Sequence, residues 1–65
     1  MGQFDVLELL KKNKHKYFNT KQIMGSVGIG QASANRILRK LYKFGLIDFV
    51  VIDGVNFYRY KDNKL

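Results

Sequence analysis

Residues 19–47 read NTKQIMGSVGIGQASANRILRKLYKFGLI, and the reading of this stretch decides the fold. It opens on a helix-start signal. Asn19 is a favoured N-cap and Gln22 follows three residues later, the spacing of a capping box in which each side chain satisfies the other residue's unpaired backbone N–H. Phe18 before the cap and Ile23 after it stand at the positions of a hydrophobic staple. Gly25, Gly28 and Gly30 keep this helix short, and Gly28 is placed to be its left-handed stop, with Ile29 turning back onto the core. The spacing predicts a helix over residues 20–26. A longer helix is predicted over residues 31–44, where Ala34, Ile37, Leu38, Leu41 and Phe44 fall at the i, i+3, i+4, i+7 spacing of a buried face. Gly45 then ends it as the residue after the cap.

On the N-terminal side, Phe4, Val6, Leu7 and Leu10 suggest one apolar helical stripe, with Asp5 and Glu8 on the wet side. The two acids precede Lys11 and Lys12, the order the helix dipole favours, so a helix is predicted over residues 3–12 and a polar turn over residues 13–16. On the C-terminal side, two β-rich runs, residues 46–52 and 55–60, are joined by Asp53-Gly54. That dipeptide is the strongest short hairpin signal, because both of its residues must take positive φ. A two-residue turn sets Ile52 opposite Val55, Val50 opposite Phe57 and Asp48 opposite Arg59, the last an opposite-charge pair. The order is helix, helix, helix, hairpin, an α+β arrangement forming a single domain over residues 1–65.

Charge bounds the partners. Twelve Lys and Arg against five Asp and Glu give +7, and the pI is near 9.9. Between Glu8 and Asp48 there is no acid, while nine basic residues crowd the interval: Lys11, Lys12, Lys14, Lys16, Lys21, Arg36, Arg39, Lys40 and Lys43. A solubility surface intersperses both signs; segregation of this kind asks for a polyanion. There is no cysteine, hence no disulfide, thiolate metal ligand or thiol nucleophile. The longest uncharged run, Gln22 to Asn35, is rich in Gly, Ser and Gln and spans no membrane. Val6 stands where myristoylation of Gly2 favours Ser or Thr. The initial Met, followed at once by an amphipathic pattern, suits a complete cytoplasmic chain without a sorting segment.

The two helices around the Val27-Gly28-Ile29 turn make a helix-turn-helix, and the hairpin that follows is its wing. Through residues 19–47, the Asp53-Gly54 hairpin and Tyr58-Arg59-Tyr60, essentially the whole chain resembles the winged helix-turn-helix family of small transcription regulators. The likeness is strongest to the compact archaeal and bacterial MarR-like domains. The resemblance implies that helix 31–44 enters the major groove of double-stranded DNA and that the wing touches the flanking backbone or minor groove. It also implies a nucleoid-associated location.

Residue chemistry points the same way. At 100° per residue, the side of the third helix opposite Ala34, Ile37 and Leu41 carries Ala32, Arg36, Arg39 and Lys43. In a helix-turn-helix the first turns of the second helix reach base edges. Base reading is therefore expected of Gln31, Ala32, Ser33, Asn35 and Arg36: Ala32 against a thymine methyl, Gln31 or Asn35 with adenine, Arg36 with guanine. Phosphates are expected at Lys16, Thr20, Lys21, Arg39, Lys40 and Lys43. Capping and turn roles also suit Gln31 and Asn35. His15 has no second His or Cys beside it, so no metal and no cofactor is expected. The glycines are no nucleotide loop, since no strand precedes them and no Gly-Lys-Ser/Thr follows. The acids are scattered with no Ser–His pair or metal-ligand spacing, so the chain is read as no enzyme, and a filled core leaves no room for a small-molecule substrate.

The wing departs from the family's pattern, because its tip carries Asp53 where Arg or Lys is usual. One hairpin face holds Ile47, Phe49, Val51, Asn56, Tyr58 and Tyr60 and is expected to cover the core; the other holds Asp48, Val50, Ile52, Val55, Phe57 and Arg59. Val50, Ile52, Val55 and Phe57 are then either an exposed patch for a homodimer or a protein partner, or are buried by curling of the hairpin. Three functions follow in order: sequence-specific DNA binding, a protein-interaction module working through the apolar wing, and non-specific nucleic-acid binding.

Overall fold

The computed structural model describes residues 3–61. The element order is α1 (Gln3–Lys12), β1 (Phe18–Asn19), α2 (Thr20–Val27), α3 (Gln31–Lys43), β2 (Ile47–Ile52) and β3 (Val55–Tyr60). The helix-turn-helix and the hairpin stand where the sequence puts them. The caps explain why. Asn19 accepts from the Gln22 N–H at 2.8 Å, and the Gln22 side chain accepts from the Asn19 N–H at 2.9 Å, which completes the capping box. Gly28 closes α2 with φ 78°, and its N–H reaches the Met24 carbonyl at 2.8 Å. At the end of α3, Gly45 has φ 74°; its N–H bonds to the Tyr42 carbonyl at 2.9 Å and that of Leu46 to the Leu41 carbonyl at 3.0 Å. That bond pair is a Schellman motif.

The core lies between the three helices and the base of the hairpin. Val6, Leu10, Ile23, Ala34, Ile37, Leu38, Leu41 and Ile47 are buried, and no polar or charged residue is buried with them among the described residues. Leu7, Leu9, Phe18, Val27, Ile29, Leu46, Tyr58 and Tyr60 pack around this centre. The buried face of α3 is the predicted one at Ala34, Ile37, Leu38 and Leu41.

Several expectations need correction. Phe4 is 77% exposed. It precedes Val6 by two residues and so lies about 200° around the helix from it; Leu9 takes the place beside the core. Phe44 is 61% exposed, because α3 ends at Lys43, Phe44 is its C-cap, and the Schellman turn sends Leu46 back to the core instead. The second helix runs one residue further than expected, to Val27, and the hairpin begins at Ile47 in place of Leu46.

The wing is not an isolated two-stranded hairpin. Phe18 and Asn19 pair with Tyr58 and Phe57, giving a three-stranded antiparallel sheet in the order β1-β3-β2. The β2–β3 register is the expected one, with Ile52 opposite Val55, Val50 opposite Phe57 and Asp48 opposite Arg59. Asp53 and Gly54 both have positive φ, 51° and 76°, as the two-residue turn requires. The Arg59 guanidinium lies over the Tyr17 ring, 4.8 Å from its centroid. The face expected to cover the core does so only at its base: Ile47 is buried and Tyr58 and Tyr60 pack against the core, whereas Phe49 and Val51 are exposed. The hairpin outruns the helical body, so both faces of its distal half meet solvent.

Candidate nucleic-acid interface

Burial of one side of α3 determines what the other side offers. With Ala34, Ile37, Leu38 and Leu41 inside, the helix turns Gln31, Ala32, Asn35, Arg36, Arg39, Lys40 and Lys43 outward, and all seven are exposed. Ser33, on the flank of the buried stripe, is half-buried. Ala32, Arg36, Arg39 and Lys43 hold the centre of the exposed side, with no acidic residue anywhere on the helix. Gly30 caps α3 without a side-chain hydrogen bond, so nothing bulky stands over the first turn.

The remaining expected phosphate ligands fall elsewhere. Thr20 is the first residue of α2 and is half-buried, and Lys21 beside it is exposed. The capping box engages the N–H groups of Asn19 and Gln22, and the Lys21 ammonium and the Thr20 hydroxyl stand beside it as further polar groups. Lys16 is exposed in the connection between α1 and β1, its N–H bonded to the Asn13 carbonyl at 2.8 Å. Its neighbours Lys14 and His15 line a depression with Asp48, Arg59, Tyr60 and Lys61 at the base of the hairpin. The basic residues thus occupy three places: the outer face of α3, the start of α2 at Lys21, and the end of α1 with the α1–β1 turn and the hairpin base.

An open cleft of about 480 Å³ separates α3 from the hairpin. Asn35, Leu38, Arg39 and Tyr42 form its helix wall, and Phe49, Asn56 and Tyr58 form its hairpin wall. Its floor is fixed by aromatic contacts: Tyr42 meets Phe49 edge-on at 5.0 Å and Phe49 meets Tyr58 at 5.8 Å. The Asn56 amide donates to the Tyr58 hydroxyl at 3.2 Å. Two residues of the expected interface, Asn35 and Arg39, therefore share a cleft with polar groups of the wing. Sequence reasoning did not single out Tyr42, Asn56 and Tyr58 for this role. The signal available was the alternation that places Asn56 and Tyr58 on the same hairpin face as Ile47 and Phe49. Among the described residues no group of three or more His, Cys, Asp or Glu could hold a metal ion, and no helix is long and apolar enough to cross a membrane.

No protein-family model matches the sequence, and no curated protein matches it significantly. Solved structures do resemble the fold. A HOP2 structure, concerned with DNA recognition and protein interaction domains and with homologous DNA pairing, superposes with a TM-score of 0.82 at 17% identity, over 91% of this chain and 97% of the other. The ferric uptake regulator from Francisella tularensis, solved with iron, superposes with a TM-score of 0.84 at 19% identity over 97% of this chain. The match spans 52% of the regulator's chain, about half its length. At such identities the likeness speaks for the fold, and the fold is a winged helix: three helices and an antiparallel sheet whose last two strands are the wing.

Proposed function

We propose that this chain is a sequence-specific double-stranded DNA-binding protein, a nucleoid-associated transcription regulator of the compact MarR-like kind, that lays α3 in the major groove. The observation that carries the reading is the outer side of α3, where Ala32, Arg36, Arg39 and Lys43 stand opposite the buried Ala34, Ile37 and Leu41 with no acid among them. The small Ala32 and the glycine N-cap permit close approach to base edges. Arg36, one turn on, has the fork geometry that pairs with the O6 and N7 of guanine. Gln31, Ser33 and Asn35 supply the remaining base-facing polar groups. Arg39, Lys40 and Lys43, further along, take phosphates, as do Lys16, Thr20 and Lys21. These contacts position the protein without reading sequence.

The cleft beside α3 refines the role of the wing. Its tip carries an acid, but its inner wall offers Asn56 and the Tyr58 hydroxyl across from Arg39. Asp53 is not among the residues lining this cleft, so a DNA backbone beside Arg39 faces these neutral donors and acceptors. The structural neighbours, one described for DNA recognition and one a regulator, support a binding role.

Selection of bound duplexes from a random pool at near-physiological salt tests the reading. One enriched motif is expected, and Arg36→Ala should relax it at one position at a cost of about 1–3 kcal/mol. Binding with no enriched motif, lost as salt rises, would make α3 a charged face only. The exposed apolar hairpin favours a second reading, a docking module, and that reading gains if no duplex binds at all.

A further inference from the structure

We propose that β2 pairs edge to edge with β2 of a second copy of this chain, joining the two three-stranded sheets into one antiparallel sheet. The inference concerns assembly and stands without the DNA-binding reading. In the order β1-β3-β2 the sheet has two edges of different kinds. β1 is two residues long and runs directly into α2, whereas β2 is six residues long and, among the described residues, pairs on one side only. Natural proteins blunt such an edge with Lys, Pro or a bulge. β2 has no Lys, Pro or bulge: its sequence is Ile-Asp-Phe-Val-Val-Ile, its one charge, Asp48, stands near the strand's start opposite Arg59, and its register with β3 is unbroken from Ile47 to Ile52.

The phase of the hairpin identifies the groups on offer. A two-residue turn makes Ile52 and Val55 a hydrogen-bonded pair, and such pairs alternate along the ladder. The Lys61 N–H to Leu46 carbonyl bond of 3.0 Å lies in the same phase. Asp48, Val50 and Ile52 therefore point their backbone groups at β3, and Ile47, Phe49 and Val51 point theirs outward. From Phe49 onward the side chains along this edge are apolar and in solvent on both faces: Phe49 and Val50 are 37% exposed, Val51 59% and Ile52 53%.

Self-complementarity names a second copy as the occupant, and charge says where it can meet the first. Residues 44–58 contain no Lys, Arg or His and two Asp, while the rest of the chain holds all twelve Lys and Arg. Two chains of charge +7 repel unless they meet on the surface that lacks cations, and the β2 edge is the middle of that surface. An antiparallel strand is also complementary to itself about a twofold axis normal to the sheet, so pairing closes at a dimer. With Val50 on the axis, Phe49 exchanges both backbone bonds with Val51 of the second copy, and Asp48 faces Ile52 of the second copy instead of its own twin. The Tyr42–Phe49 contact places α3 on one face of the sheet. A twofold axis normal to the sheet then leaves both α3 helices on the same side of the dimer.

Sedimentation equilibrium from micromolar to millimolar protein tests the proposal. The wild type should approach twice 7.6 kDa. Val51→Pro removes an outward N–H while sparing the ladder to β3, and should sediment as a monomer with an unchanged far-UV circular dichroism spectrum. Should that variant fail to fold, Val50→Lys decides, because it sets two ammonium groups face to face on the axis. Val55→Lys, exposed on the same face but on β3, should stay dimeric. A wild type of 7.6 kDa throughout would overturn the proposal. So would dissociation of Val55→Lys as readily as of Val51→Pro or Val50→Lys, the mark of a general apolar contact.

Discussion

Glycines at three positions show how single residues set this structure. Gly45 sits at φ 74° in the Schellman turn that ends α3 and aims Leu46 at the core. A Cβ there meets no neighbour within 4 Å, so the cost of Gly45→Ala is purely the left-handed backbone, about 1–2 kcal/mol. Gly25 lies inside α2, outside the positive-φ set, also with open space around it. Gly25→Ala should therefore stabilise, by up to about 1 kcal/mol, through helix propensity. Urea unfolding of both variants checks the opposite signs. Gly54 and Asp53 complete the pattern, since both hold the positive φ of the hairpin turn. Gly25 reads as a helix breaker and lies inside α2; Gly45, Asp53 and Gly54 were readable in the sequence, because a cap or a turn needs a particular residue at a fixed offset. The same holds for Asn19 and Gln22, whose reciprocal bonds are local.

At the scale of elements, what was legible depended on how far the deciding contact lies along the chain. The α3 stripe of Ala34, Ile37, Leu38 and Leu41 repeats at the helical period and needs no partner to be seen. Phe44 extended that arithmetic by one turn too many, because the Schellman turn takes over first. A direct check contrasts the two residues. Leu41→Ala should cost about 2–5 kcal/mol, enough to unfold much of a domain this small; Phe44→Ala should stay within about 0.5 kcal/mol. Thermal melts followed by circular dichroism separate them. β1 escaped notice because two residues have no period, and Phe18 and Asn19 are a strand only by pairing with Tyr58 and Phe57. The α3–hairpin cleft was hidden for the same reason, since it joins Asn35 and Arg39 to Asn56 and Tyr58 across a chain reversal.

The whole molecule is divided by charge. Every Lys and Arg lies outside residues 44–58, the stretch that holds β2, the turn and most of β3, and the one hairpin cation, Arg59, stands at its base. The outer face of α3 therefore suits a polyanion and the β2 edge a surface without cations, with Phe49 the residue that borders both. Arg36 and Lys43 on α3 are far in function from Val50 and Val51 on β2, so variants at one end should leave the measurement at the other unchanged. The account rests above all on α3 as the surface that meets DNA. Titration of the 15N-labelled protein with a duplex, followed amide by amide, tests this most directly. Shifts should concentrate on residues 31–43, with further shifts at Thr20 and Lys21 and beside the cleft at Asn56 and Tyr58. Shifts confined to the α1–β1 turn and the hairpin base, with α3 unmoved, would contradict it.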